Sequence, residues 1–112
     1  MGVTEEPTMS ISRVVSVRPL PGRLDDFLAR LGEGKKILES HGANVVFYRI
    51  VAGPDHPNTV LAVSTVPDWK QFAKVADAVQ ADGAWQAFER KLVDDPVAER
   101  TNIGIIQDFT LP

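Results

Sequence analysis

NVVFYRIVAGPDHPNTVLAVSTV, from Asn44 to Val66, is the stretch whose reading decides the fold. Two runs rich in β-branched residues, Asn44–Ala52 and Asn58–Val66, flank Gly53-Pro54-Asp55-His56-Pro57. They read as two antiparallel strands joined by a turn-rich loop of hairpin length. Apolar residues occupy both alternation classes, with Val45, Phe47 and Val51 on one face and Val46, Tyr48 and Ile50 on the other. A sheet with one wet face alternates more cleanly, so this hairpin belongs to a sheet covered on both sides.

Working toward the N-terminus, Leu24, Phe27, Leu28, Leu31 and Leu38 form one apolar helical stripe, opened by Pro21-Gly22 and closed by His41-Gly42. Gly32 and Gly34 each weaken the helix by about 1 kcal/mol relative to alanine, which predicts a kink or break there. Ser10–Arg18 reads as a further strand, ended by Pro19. Residues 1–9 read as a flexible lead-in. Toward the C-terminus, Asp68 with Gln71 fits a capping box, and Trp69, Phe72, Val75, Ala76 and Val79 form an inward stripe. Asp82-Gly83 interrupts that helix, and a shorter one carrying Trp85, Phe88 and Leu92 follows until Asp94-Asp95-Pro96. Thr101–Leu111 completes the set as a last strand, with Gly104 as the expected bulge.

The order β-α-β-β-α-β, with the second α split in two, specifies an α+β, ferredoxin-like domain: an antiparallel sheet with helices on one face. The other face is too apolar for water, and a homodimer with its two sheets face to face covers it most simply. The 112 residues fit a single domain over residues 10–112 after the lead-in. No apolar run reaches the roughly 20 residues of a membrane-spanning helix, and Met1–Pro7 lacks the order of a signal peptide. Without cysteine there is no disulfide framework, thiolate chemistry or zinc finger. A cytoplasmic location is expected. The net charge of −3, with 12 Lys and Arg spread along the chain, argues against nucleic-acid binding.

Pro21-Gly22-Arg23, His41-Gly42-Ala43, Val66-Pro67-Asp68-Trp69 and Trp85-Gln86-Ala87-Phe88 occur in an order and spacing that resembles the dimeric α/β-barrel superfamily. That superfamily includes antibiotic-biosynthesis-type monooxygenases, heme-degrading monooxygenases, muconolactone isomerases and NIPSNAP-like proteins. The resemblance implies a dimeric α/β barrel with a pocket in each protomer between helices and sheet. It also implies cofactor-free oxygenation or isomerisation, or simple binding of a hydrophobic or aromatic ligand. The heme-degrading members use an Asn, a Trp and a His at positions that correspond here to Val14, Val66 and a helical region without histidine, so that chemistry is not expected. No cofactor is expected.

Fold does not fix activity, so candidate residues stand on their own chemistry. His41 suits general-base catalysis by its ordinary pKa, although the last turn of a helix also favours a partly cationic side chain. Tyr48 and Arg49 are strand neighbours facing opposite sides. Whichever faces the helices would meet a ligand, Tyr48 as a hydroxyl donor for proton handling and Arg49 as an anion clamp. Arg13, amid Ile11, Val15 and Val17, must find a partner or reach solvent. Trp69, Phe72, Trp85 and Phe88 read either as plain core or as an aromatic wall for a flat ligand. Asp55 and His56 make a poor metal site without a third ligand, and no metal is expected. No serine sits in a nucleophile elbow and no phosphate-binding loop is present. Two functions remain: a homodimeric protein with a small-molecule pocket, or a non-catalytic dimeric module for stress response or assembly.

Overall fold

A computed structural model of the chain describes residues 10–54 and 58–109. The lead-in over residues 1–9 and the pair Asp55 and His56 lie outside the described residues. The elements run β1 (Ile11–Pro19), α1 (Leu24–Ser40), β2 (Asn44–Arg49), β3 (Val60–Val66), α2 (Trp69–Gln80), α3 (Gly83–Asp94) and β4 (Ala98–Gln107). The four strands form one antiparallel sheet in the order β2-β3-β1-β4. The two strands of each β-α-β unit therefore run parallel with a strand of the other unit between them, the interlaced arrangement expected of a ferredoxin-like domain. No described helix is long and apolar enough to cross a membrane.

Local chemistry explains the element ends. The Asp68 carboxylate accepts the Gln71 amide at 2.7 Å and starts α2. Asp82 does the same for α3, accepting the Ala84 amide at 2.8 Å. α1 closes where Gly42 takes a φ of +100°, a conformation that costs glycine nothing.

Three features differ from the sequence expectations. α1 runs unbroken through Gly32 and Gly34, because Gly34 is the point where the Phe88 ring of α3 packs on α1. A Cβ at Gly34 would meet Phe88 Cζ at 3.1 Å. The buried face of α1 is rotated from the leucine stripe: Leu24 and Leu28 are about half exposed, whereas Phe27, Arg30 and Gly34 are buried. The bulge sits at Thr101, not at Gly104, which pairs regularly with Val14. Ser16 opposes Asn102 while Val17 opposes Arg100, leaving Thr101 as the extra residue, its hydroxyl donating to the Ser16 carbonyl at 3.2 Å.

The register sorts the sheet faces. Ile11, Arg13, Val15 and Val17 of β1 share the helix-covered face with Val66, Ser64, Ala62 and Val60 of β3 and with Val45 and Phe47 of β2. The opposite face carries Val14, Val46, Tyr48, Leu61, Val63 and Ile106 and is incompletely covered, with Val46, Tyr48 and Ile106 39%, 54% and 55% exposed. On the helix side, Ile11, Ala43 and Val66 form a buried cluster backed by Leu38, Phe72 and Val75. Phe27 and Val97 are buried at the other end. The space between is hollow.

Candidate functional site

That hollow is a cavity of about 320 Å³ between the sheet and helices α1 and α3. Its floor is Val15, Val17, Val45, Phe47 and Ala62, and its roof includes Leu31, Leu38, Trp85, Phe88 and Leu92. A second hollow of about 230 Å³ lies beside it under α2, lined by Phe72, Val75 and Val79. Arg13, Leu38, Ser64, Trp85 and Glu89 line both and so form the partition.

The partition carries Arg13, Ser64 and Glu89 between otherwise mostly apolar walls. Arg13 stands at the middle of the sheet, half buried, and its pKa is lowered: burial disfavours the charge, the Arg100 guanidinium repels it, and Glu89 partly offsets both. Trp85 Nε1 donates to the Glu89 carboxylate, which fixes the indole against the partition. Among the described residues, Arg13, Lys35 and Arg100 line the larger cavity without a side-chain hydrogen bond or ion pair.

Arg30 lines the same cavity but is fully engaged. Its guanidinium donates to the carbonyls of Lys91 at 3.3 Å and Asp95 at 3.0 Å, and to Asp95 Oδ2 at 3.0 Å. It thereby satisfies carbonyls at the C-terminal end of α3 from a neighbouring helix. Asp95 also accepts from Arg23 Nη2 at 3.1 Å, and Arg23 Nε donates to Asp26 at 2.9 Å. These two carboxylates raise the Arg23 pKa.

The residues singled out from the sequence scatter. Trp85 is in the partition and Phe72 lines the smaller hollow. Phe88 lines the larger. Trp69 is 54% exposed at the start of α2, edge-on to Phe72 with ring centroids 5.5 Å apart, and lines neither hollow. Tyr48 is on the open face of the sheet. Arg49 has the helix-side parity, opposite Val60, but sits exposed at the end of β2, outside both hollows. His41 lies outside both as well, its Nε2 2.6 Å from Asp82 Oδ2 across the junction of α2 and α3. That hydrogen bond, then the Ala84 amide, lowers the Asp82 pKa.

Sequence reasoning passed over Arg30, Lys35, Glu89 and Arg100. A signal existed for Arg30, which lies three residues from Phe27 and four from Gly34 on the buried face. Glu89 lies four residues from Trp85, one helical turn on. Nothing in the pattern of β4 marks Arg100, because its side depends on the bulge at Thr101.

The chain shares its ferredoxin-like fold with solved structures of NIPSNAP family proteins and of an antibiotic-biosynthesis-monooxygenase-like protein. Among solved structures, it is similar to a NIPSNAP family protein of unknown function from Agrobacterium tumefaciens. Identity is 18%, the match covers 92% of this chain and 91% of that one, and the TM-score is 0.68. Another A. tumefaciens NIPSNAP family protein matches at 18% identity over 98% and 95% of the two chains, with a TM-score of 0.72. A Bordetella bronchiseptica protein assigned provisionally as an antibiotic biosynthesis monooxygenase matches at 20% identity over 90% and 98%, with a TM-score of 0.64. At these identities the likeness is one of fold. No protein-family model matches the sequence, and no curated protein matches it.

Proposed function

We propose that this chain forms a homodimer in which each protomer binds a small, largely apolar molecule between its helices and its sheet. The observation that carries this reading is the cavity of about 320 Å³, which is lined mainly by aliphatic and aromatic side chains with a few charged and polar groups among them. Size and lining both match those of small-molecule sites. The dimer rests on the open sheet face, where Val46 and Ile106 stay exposed in a single chain.

Binding is favoured over turnover by the arrangement of titratable groups. His41 and Tyr48, the side chains suited to proton handling by type, lie outside the cavity, and among the described lining residues Glu89 is the carboxylate within it. Cofactor-independent oxygenation or isomerisation in this cavity would place the base role on Glu89, a reading favoured by its contact with both hollows.

The test is a thermal-shift screen of small aromatic and aliphatic compounds against the wild type and Ala62→Phe, which fills the floor. Hits that shift the wild type and lose their effect in Ala62→Phe support the reading. Hits that persist in a folded Ala62→Phe overturn it. Sedimentation equilibrium of the wild type and Val46→Glu tests the dimer: a wild type that stays monomeric at tens of micromolar overturns that half.

A further inference from the structure

We infer that the cavity selects an anionic amphiphile, a compact monocarboxylate with an aromatic or branched hydrocarbon body, and that Arg13 holds its carboxylate. This inference rests on the pocket proposed above and names the chemistry that the pocket discriminates.

Position is the first argument. Arg13 lies between Ile11 and Val15 on the helix-covered face of a central strand, where apolar residues are the rule. A guanidinium withdrawn from water in such a place is costly unless it is paired. Arg30 shows what pairing looks like in this same cavity, with three hydrogen bonds to two residues. Arg13 has no such partner among the described residues, and Glu89, the nearby acid, is engaged by the Trp85 indole.

Charge is the second. Among the described residues, Arg13, Lys35 and Arg100 make no ion pair, and Glu89 is the lining carboxylate that faces them. A chain with a net charge of −3 thus gathers an excess of positive charge in the hollow between its sheet and helices. Packing gives no reason to gather repelling cations there. An anion does.

The bulge is the third. Ile105 and Ile103 of β4 oppose Arg13 and Val15, and strict alternation would bring Thr101 opposite Val17. The extra residue at Thr101 switches the parity, so that Arg100 opposes Val17 and lines the cavity together with Ala98. Bulges re-aim side chains in this way beside binding sites. The walls then set the body of the ligand: Trp85 and Phe88 pack at a tilt of 33° with ring centroids 5.2 Å apart, and both line the hollow with Arg13.

The experiment is isothermal titration calorimetry of the full chain with 2-naphthoate and its neutral counterpart 2-naphthamide, in the wild type, Arg13→Met and Arg13→Lys. A charge-assisted hydrogen bond supports an advantage of about tenfold or more in Kd for the acid over the amide in the wild type. That advantage falls to near unity in Arg13→Met, through loss of affinity for the acid, and is partly kept in Arg13→Lys. The wild-type comparison stands even if Arg13→Met fails to fold. Equal affinity for acid and amide overturns the inference and leaves the pocket reading in place. Absence of binding by either overturns both. Inorganic phosphate displacing naphthoate at equal concentration overturns the amphiphile, since the apolar walls would then contribute nothing.

Discussion

Two arginines line the same cavity and live by opposite rules. Arg30, from α1, is 7% exposed and has every hydrogen bond directed at an acceptor at the end of α3. Arg13, from the middle of β1, is half buried and has no hydrogen-bonded partner among the described residues. Burial of a guanidinium is stable when the protein supplies its acceptors, and Arg30 shows that this fold can supply them. Where it withholds them, as at Arg13, the charge is left available to something else. The contrast separates the end of the hollow that holds helices together from the part where a ligand is proposed.

The largest effect expected from this contrast is at Arg30. Arg30→Met removes the ties from α1 to Lys91 and Asp95 and leaves the Asp95 carbonyl without its guanidinium donor, while the Lys91 carbonyl keeps the Asp95 amide. The loss is about 2–3 kcal/mol of folding stability, since hydrogen bonds to charged groups are the stronger ones. It stays below that of a fully buried ion pair, because Asp95 is 57% exposed and keeps Arg23 as a partner. Urea titration of the variant checks it. An unchanged midpoint would mean that the end of α3 is held by other contacts.

Gly34 sharpens the same boundary, because α1 and α3 touch there. Replacing helical glycine by alanine gains up to about 1 kcal/mol of propensity. Gly32→Ala, with open space around its Cβ, should show that gain, whereas Gly34→Ala meets Phe88 at 3.1 Å. Overpacking costs about 1–3 kcal/mol when the neighbour cannot yield, so Gly34→Ala should be the less stable of the two by about 1–2 kcal/mol. Equal stability would show that the Phe88 ring moves freely into the hollow.

A smaller effect belongs to His41 and Asp82, which join the end of α1 to the start of α3. The Asp82 carboxyl is held below its ordinary value of 3.8 by the His41 hydrogen bond and the Ala84 amide. A depressed carboxyl stabilises the fold above the unfolded-state pKa, and that contribution is lost as pH falls through the folded value. Asp82→Asn should therefore lower the melting temperature at pH 7, by less than Arg30→Met does. Its deficit should shrink toward zero as pH drops below about 3.8. A deficit that is the same at pH 3 as at pH 7 would mean that something other than the ionised Asp82 carboxylate sets it.

Much of the fold was legible because its signals are local. The capping residue Asp68, the break at Asp82-Gly83 and the two-faced apolar strands follow from residues a few positions apart. The site was less legible because it depends on register. The question posed by Arg13, partner or solvent, has its answer in residues nearly ninety positions away, where one extra residue at Thr101 turns Arg100 toward it. The helical stripe of α1 was right for Phe27, Leu31 and Leu38 and too wide at Leu24 and Leu28, because Arg30 and Gly34 take the other edge of the buried face. His41 and Trp69 drew interest as residue types, yet the first pairs with Asp82 and the second lies exposed at a helix start.

The smallest effect expected on the empty protein is at Arg13 itself. Arg13→Met removes a guanidinium that burial and Arg100 both disfavour, and a flexible apolar side chain takes its place between Ile11 and Val15. The free protein should then be unchanged or more stable by about 0–1 kcal/mol, whereas Arg30→Met loses about 2–3 kcal/mol. A residue kept for packing costs stability when it is removed. One kept for a ligand does not, and its loss registers only when the ligand is present. If Arg13→Met unfolds as early in urea as Arg30→Met, the two arginines are alike, and the partition between the hollows is scaffold after all.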